Sequence, residues 1–269
     1  MPMVECKDGD IHFERNGTGE PMVMLLPQSS GPVGMGPFLN RLSKEFSVIR
    51  YDQRGTGRSA PVPTPDGMTM AGRAEEVVTL LDALKLEQAI LCCHSTGCGI
   101  GVATVSVHAD RIAGITLISP WSHGDTHLTT MQRLRVAAAR GLDPYRYAWF
   151  NASLLFPPDY RREHAKGFEA IAEAAHTSPQ DADQISDRLE AILAFDSRPH
   201  LEAVSCPTLV VTGADDQLMP DWFGRELAAG IPHAKLVALT GGGHMLPETR
   251  SDDVSNAVCA FFGKGSLHT

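Results

Sequence analysis

No stretch of this chain approaches the roughly 18 apolar residues of a membrane span. Its first residues, Met1-Pro2-Met3-Val4-Glu5-Cys6-Lys7-Asp8, hold no basic head followed by an apolar run. Membrane insertion and secretion are therefore not expected. The six cysteines, Cys6, Cys92, Cys93, Cys98, Cys206 and Cys259, form no C-x-x-C pair and no regular framework spacing. That pattern reads as reduced thiols in a cytoplasmic protein. Basic residues are outnumbered, 23 Lys+Arg against 32 Asp+Glu, for a net charge of −9. Such a chain repels nucleic acid and anionic lipid at long range. A basic cluster, Arg133, Arg135, Arg140 and Arg146, still leaves room for a local anion site. There is no H-E-x-x-H, P-loop or calcium loop, no internal repeat and no low-complexity segment. No metal or cofactor is implied.

What is present is a globular composition, 43% hydrophobic and 20% charged over 269 residues. A chain of this length buries roughly three quarters of its unfolded surface and needs no disulfide or metal staples. Strand-like runs fall at Met3–Cys6, Ile11–Arg15, Met22–Leu26, Phe46–Tyr51, Ala89–Cys93, Ile112–Ser119, Thr208–Thr212 and Lys235–Leu239. Thr69 is placed to cap a helix with Met70, Ala74, Val77, Val78, Leu81 and Leu84 at helical spacing. Helices are also expected after Ser95, near Trp222–Ala229 and at the end of the chain. Ser251 would cap that last helix, and Val254, Val258 and Phe261 would form its stripe. Strand–helix alternation predicts an α/β fold, a mostly parallel central sheet with helices on both faces. The rhythm breaks between residues 121 and 203, which show helical patches and no clear strand. That segment is too long for a plain loop. It reads as a helical lid inserted into a core formed by residues 1–120 and 204–269.

The chemistry starts at Ile90-Leu91-Cys92-Cys93-His94-Ser95-Thr96-Gly97-Cys98-Gly99. A buried strand runs into a tight turn and a helix, and a serine sits at the turn. This is the context of a nucleophile elbow, although Cys93 stands where G-x-S-x-G has its first glycine. A serine hydroxyl needs a base. His244, in Thr240-Gly241-Gly242-Gly243-His244, follows a predicted strand and is the candidate. His94 would point away from the turn, toward packing or hydrogen bonding. His123 and His127 begin the insertion and could touch substrate. Asp215 and Asp216 both follow the strand at Thr208–Thr212, and Asp216 is preferred as the acid that orients the base. Each of these residues alone has an ordinary structural explanation. Their order, Ser95, Asp216, His244, is the one this chemistry takes on an α/β sheet. Gly55-Thr56-Gly57-Arg58-Ser59-Ala60 fits a dinucleotide fingerprint, but Pro61, Pro63 and Pro65 exclude the helix such a site requires.

With these residues in place, the chain resembles the α/β-hydrolases over nearly its whole length. Tyr51-Asp52-Gln53-Arg54-Gly55-Thr56-Gly57-Arg58-Ser59 is similar to that family's D-x-R-G-x-G-x-S loop. Within the family, the chain looks most like 3-oxoadipate enol-lactonases and aminoacrylate hydrolases. Leu155-Phe156-Pro157-Pro158-Asp159-Tyr160 resembles a segment of the latter. The family's spacing selects Asp216 over Asp215. The chain departs from the family in Pro27-Gln28 after the third strand, where many members have His-Gly. The resemblance implies backbone N–H donors at Ser29 and Thr96 for an oxyanion, and Gln28 adds a side-chain donor.

The expected function is hydrolysis of a small acyl substrate, an ester, lactone or amide-type bond, with a carboxylate on it if the resemblance to the enol-lactonases holds. Trp121, Trp149 and Phe150 are candidate pocket walls, with packing inside the insertion the competing explanation for each. Two other readings stay open: a sensor of the same fold that keeps the triad, and C–C or cofactor-free chemistry that uses the histidine and aspartate as a base. Partners are confined to the small-molecule substrate, and a homodimer stays open.

Overall fold

The computed structural model describes residues 2–26 and 31–263, with Pro65 described by its backbone alone. Eight strands form one sheet: β1 (Met3–Val4), β2 (Ile11–Asn16), β3 (Pro21–Leu25), β4 (Ser47–Tyr51), β5 (Ala89–His94), β6 (Ile112–Ile118), β7 (Thr208–Gly213) and β8 (Lys235–Leu239). Their order is β1-β2-β4-β3-β5-β6-β7-β8. β1 and β2 are antiparallel, and every pairing from β4 to β8 is parallel. The central strands are apolar on both sides because helices cover both faces. Side chains alternate along them. Val23, Leu25, Leu91 and Cys93 enter one core, while Met22, Met24, Ile90 and Cys92 enter the other. The adjacent cysteines thus point to opposite faces, and all six thiols are free.

The helices are α1 (Gly36–Leu42), α2 (Met70–Ala83), α3 (Thr96–Val107), α4 (Thr126–Gly141), α5 (Pro144–Leu155), α6 (Pro158–Glu163), α7 (Ala165–Ala174), α8 (Ala182–Ala194), α9 (Asp221–Gly230), α10 (Leu246–Thr249) and α11 (Ser251–Phe262). Thr69 caps α2 by accepting the Gly72 N–H at 3.0 Å. Between β6 and β7 lie only helices, α4 to α8. Three of them start at aspartates, Asp125, Asp143 and Asp181, whose side chains accept first-turn amides. No helix among the described residues is long and apolar enough to cross a membrane.

One expected cap is not found. Ser251 is the first residue of α11, and its hydroxyl has no hydrogen-bond partner among the described residues. The short α10 ends at Thr249, so Arg250 alone joins the two helices and takes the cap position. The apolar stripe of α11 runs Val254, Val258, Phe262, with Phe261 only partly buried.

The topology decides where a site can form. From β3 the chain crosses to β4 on one side, and from β5 to β6 on the other. The loops leaving the carboxyl ends of β3 and β5 therefore part, and a crevice opens between them.

Candidate active site

Ser95 leaves β5 at the mouth of that crevice with φ 56° and ψ −120°. A side chain in this region carries about 1–3 kcal/mol of strain. The amide of Ser95 is held by the Ile118 carbonyl at 3.0 Å, and its own carbonyl accepts the Cys98 N–H at 2.9 Å. The turn also needs Gly97, because a Cβ there would lie 1.9 Å from the Leu25 carbonyl oxygen. Cys93, the departure from the elbow pattern, is accommodated from the opposite helix. Its sulfur fills the space that Gly101 of α3 leaves open.

His244 comes from the loop between β8 and α10. Its Nε2 lies 2.8 Å from Ser95 Oγ, and its Nδ1 lies 2.8 Å from Asp216 Oδ2. All three side chains are buried. The other carboxylate oxygen of Asp216 accepts the amides of Leu218 and Met219, both at 2.9 Å, which fixes the carboxylate. Asp215 faces elsewhere and accepts the amides of Gly242 and Gly243, at 3.2 and 2.8 Å. One aspartate meets the imidazole and its neighbour holds the loop that carries the imidazole.

The backbone of His244 is equally constrained. Its carbonyl accepts hydrogen bonds from His94 Nε2 at 2.9 Å and Ser119 Oγ at 3.0 Å. Its amide donates to the Leu155 carbonyl of α5 at 3.0 Å. His94 does point away from the serine, as expected, but it lies under the base. Burial pushes its pKa down to about 3, with the neighbouring His244 contributing, so its ring is neutral.

Ser95 and His244 open onto a cavity of about 100 Å³. One water needs roughly 10–15 Å³ on the same measure, so a small organic molecule fits. Thr96 lines it and is the first residue of α3, where an N–H has no intrahelical acceptor. Gln28 and Ser29 lie outside the described residues. Trp121 does not line the cavity. It is 2% exposed and packs on Gly99, where a glycine leaves room for the indole. Trp149 and Phe150 also stay out of it, packed against Phe168 and Tyr147. His123 and His127 are likewise outside, against Phe223 and Trp222. Instead the D-x-R-G-x-G-x-S loop supplies Gln53, Gly55 and Thr56. That loop is braced from within, because Asp52 Oδ2 accepts the Arg58 amide at 2.9 Å and meets His12 Nδ1 at 3.1 Å.

Two lining residues were not singled out as a pair in the sequence, Arg135 of α4 and Arg188 of α8. A signal for them exists. Leu128, Gln132, Arg135 and Ala139 recur at helical spacing, as do Ile185, Arg188, Leu189 and Ile192, and the neighbours of each arginine in these series are buried. Both arginines occupy positions where an amphipathic helix carries an apolar residue.

Comparison with known proteins agrees with the fold. The profile of the alpha/beta hydrolase family matches residues 26–257. A protein of Caulobacter sp. (strain K31) named as carbamate hydrolase RutD is 34% identical over 259 residues, covering 94% of this chain and 96% of its own length. The enol-lactonase from Burkholderia xenovorans LB400 superposes with a TM-score of 0.82 at 28% identity, over 97% of this chain and 99% of that one. A thermophilic esterase from Thermogutta terrifontis shares the fold, with a TM-score of 0.81 at 24% identity over 100% of this chain and 99% of its own.

Proposed function

The chain belongs to the alpha/beta hydrolase family and is a hydrolase, and from that premise we propose that it cleaves a small acyl compound through a covalent acyl-Ser95 intermediate. The observation that carries this reading is the relay Asp216–His244–Ser95, with both links at 2.8 Å and the serine facing a cavity. His244 Nε2 takes the Ser95 proton as Oγ attacks the carbonyl carbon, and Asp216 fixes the imidazole tautomer and stabilises the imidazolium. The carbonyl oxygen becomes an oxyanion beside the N–H of Thr96, and the family resemblance assigns the second donor to Ser29; one such donor contributes about 2.7–4 kcal/mol in the transition state. The leaving heteroatom collects the proton from His244. Water then attacks the acyl-enzyme with His244 again as base, which releases the acid and restores Ser95. A carbamate and an enol-lactone, named for the relatives, both carry a heteroatom leaving group on a carbonyl carbon. The helices of residues 121–203 act as the lid and supply the walls that select the acyl group.

The test is intact mass after exposure to a serine-directed fluorophosphonate. One adduct is expected on the wild type, none on Ser95→Ala, and slow formation on His244→Ala. Failure of the folded wild type to label would turn the reading toward a sensor or toward His244 acting as a base without a nucleophile.

A further inference from the structure

The cavity over Ser95 has an uneven charge inventory. Among the described residues no acidic side chain lines it, whereas three arginines do: Arg73, Arg135 and Arg188. Arg73 is already neutralised, because its Nη1 meets Glu76 Oε2 at 2.9 Å with both side chains 5% exposed. Arg135 and Arg188 have no carboxylate partner among the described residues. Arg135 shares one hydrogen bond, Nη1 to Gln132 Oε1 at 3.0 Å, and its buried Nε has no acceptor among the described residues. The other arginines of the basic cluster do different work: Arg140 and Arg146 pair at the surface with Asp183 and Asp143, and Arg133 is exposed.

Around the two guanidiniums the cavity is apolar, with Met70, Ile100, Leu155, Leu189, Ile192 and Leu218 among its walls. Burial lowers the pKa of both, and Arg188 adds its repulsion to Arg135. Two like charges drawn into an apolar cavity are costly unless an anion joins them. Their place on the buried stripes of α4 and α8 makes the cost deliberate, since local rules are broken where function requires it. Among the described residues neither guanidinium is hydrogen-bonded to Ser95, His244 or Asp216, so neither is engaged by the relay.

We infer that Arg135 and Arg188 form a carboxylate subsite, and that the substrate is an acyl compound bearing a carboxylate distinct from the scissile carbonyl. The planar fork of a guanidinium matches a carboxylate with two parallel hydrogen bonds. The inference rests on Ser95 being the nucleophile, and it assigns a second group recognised in the same cavity.

The test compares half-esters with diesters. Monomethyl and dimethyl esters of the dicarboxylic acids from malonate to adipate are assayed with the wild type, Arg135→Gln, Arg188→Gln and Arg188→Lys. The wild type should prefer at least one half-ester in kcat/KM by about tenfold or more, the scale of a partly buried charge pair. Each glutamine variant should lose that preference mainly through KM, and lysine should recover part of it. Because a variant can fail by misfolding, the wild type supplies a second reading: glutarate should slow fluorophosphonate labelling of Ser95, and neutral glutaramide should not. Equal use of half-ester and diester across the whole series, or a preference that survives in both glutamine variants, overturns the subsite. Calorimetric binding of glutarate to Ser95→Ala separates the two ideas. Binding there, with hydrolysis intact, would sink the nucleophile and keep the subsite; absence of binding, with Ser95 labelled in the wild type, would do the reverse.

Discussion

His94 is wholly buried and spends its single ring donor on the backbone carbonyl of His244, while its Nδ1 has no partner among the described residues. Its pKa is about 3 in the folded chain and near 6.5 in the unfolded one. Below pH 6.5 the unfolded state therefore holds one more proton. The contribution of His94 to stability is complete above 6.5 and is lost as pH falls toward 3, at up to about 1.4 kcal/mol per pH unit. His94→Gln keeps an N–H donor and removes the titration. Urea unfolding at pH 6, 5 and 4 should show a shallower fall in stability for the variant, and parallel falls would refute the assignment. Among the residues of the site, Ser95, Asp216 and His244 were legible because each follows a strand in a short polar or glycine-rich loop. The work of His94 was not, since its carbonyl partner lies 150 positions away in sequence. Trp121 misled because a large aromatic at the start of the insertion reads equally as wall or core. The single hydrogen in place of a side chain at Gly99 settles it as core.

At the scale of elements, β5 and α3 fit by exchange of volume. Cys93 adds a sulfur where a glycine is usual, and Gly101 on the facing helix gives the space back. A methyl at 101 would lie 2.5 Å from Cys93 Sγ and 2.8 Å from Ile115 Cδ1. Gly101→Ala should thus cost about 1–3 kcal/mol, against the roughly 1 kcal/mol that alanine offers a helix. In a Cys93→Ala background the same change should be much cheaper. A double-mutant cycle on urea midpoints measures the coupling, and simple additivity would show that the two sites do not share space. Strand positions were readable because covered strands write continuous apolar runs. The short α1 and α10 were not, since four to seven residues are too few for a helical period to emerge. Overlooking α10 is also what misplaced the cap of α11.

Across the whole molecule, Glu248 joins segments that are distant in sequence. Its carboxylate accepts the amides of Gly31 and Val33, at 2.6 and 3.0 Å, and the Tyr160 hydroxyl at 3.0 Å. The segment following β3, the helix after the catalytic loop and the insertion meet at one side chain. Tyr160→Phe should lower stability by about 1 kcal/mol, and Glu248→Ala by clearly more, because three donors lose one acceptor. Thermal unfolding of the two variants checks the order, and a reversed order would mean that the carboxylate is dispensable. No local pattern announces this junction, since its parts lie as much as 217 positions apart.

The carbonyl of Leu155 accepts the amides of both His244 and Met245, at 3.0 and 3.3 Å. Exchange of residues 121–203 would therefore also replace the carbonyl that holds the histidine. A chimera cut there would set its own histidine on a foreign support. The portable module is discontinuous, the insertion together with the loop around residue 244. Point changes on the inner faces of α4 and α8 alter the cavity wall and leave that support in place.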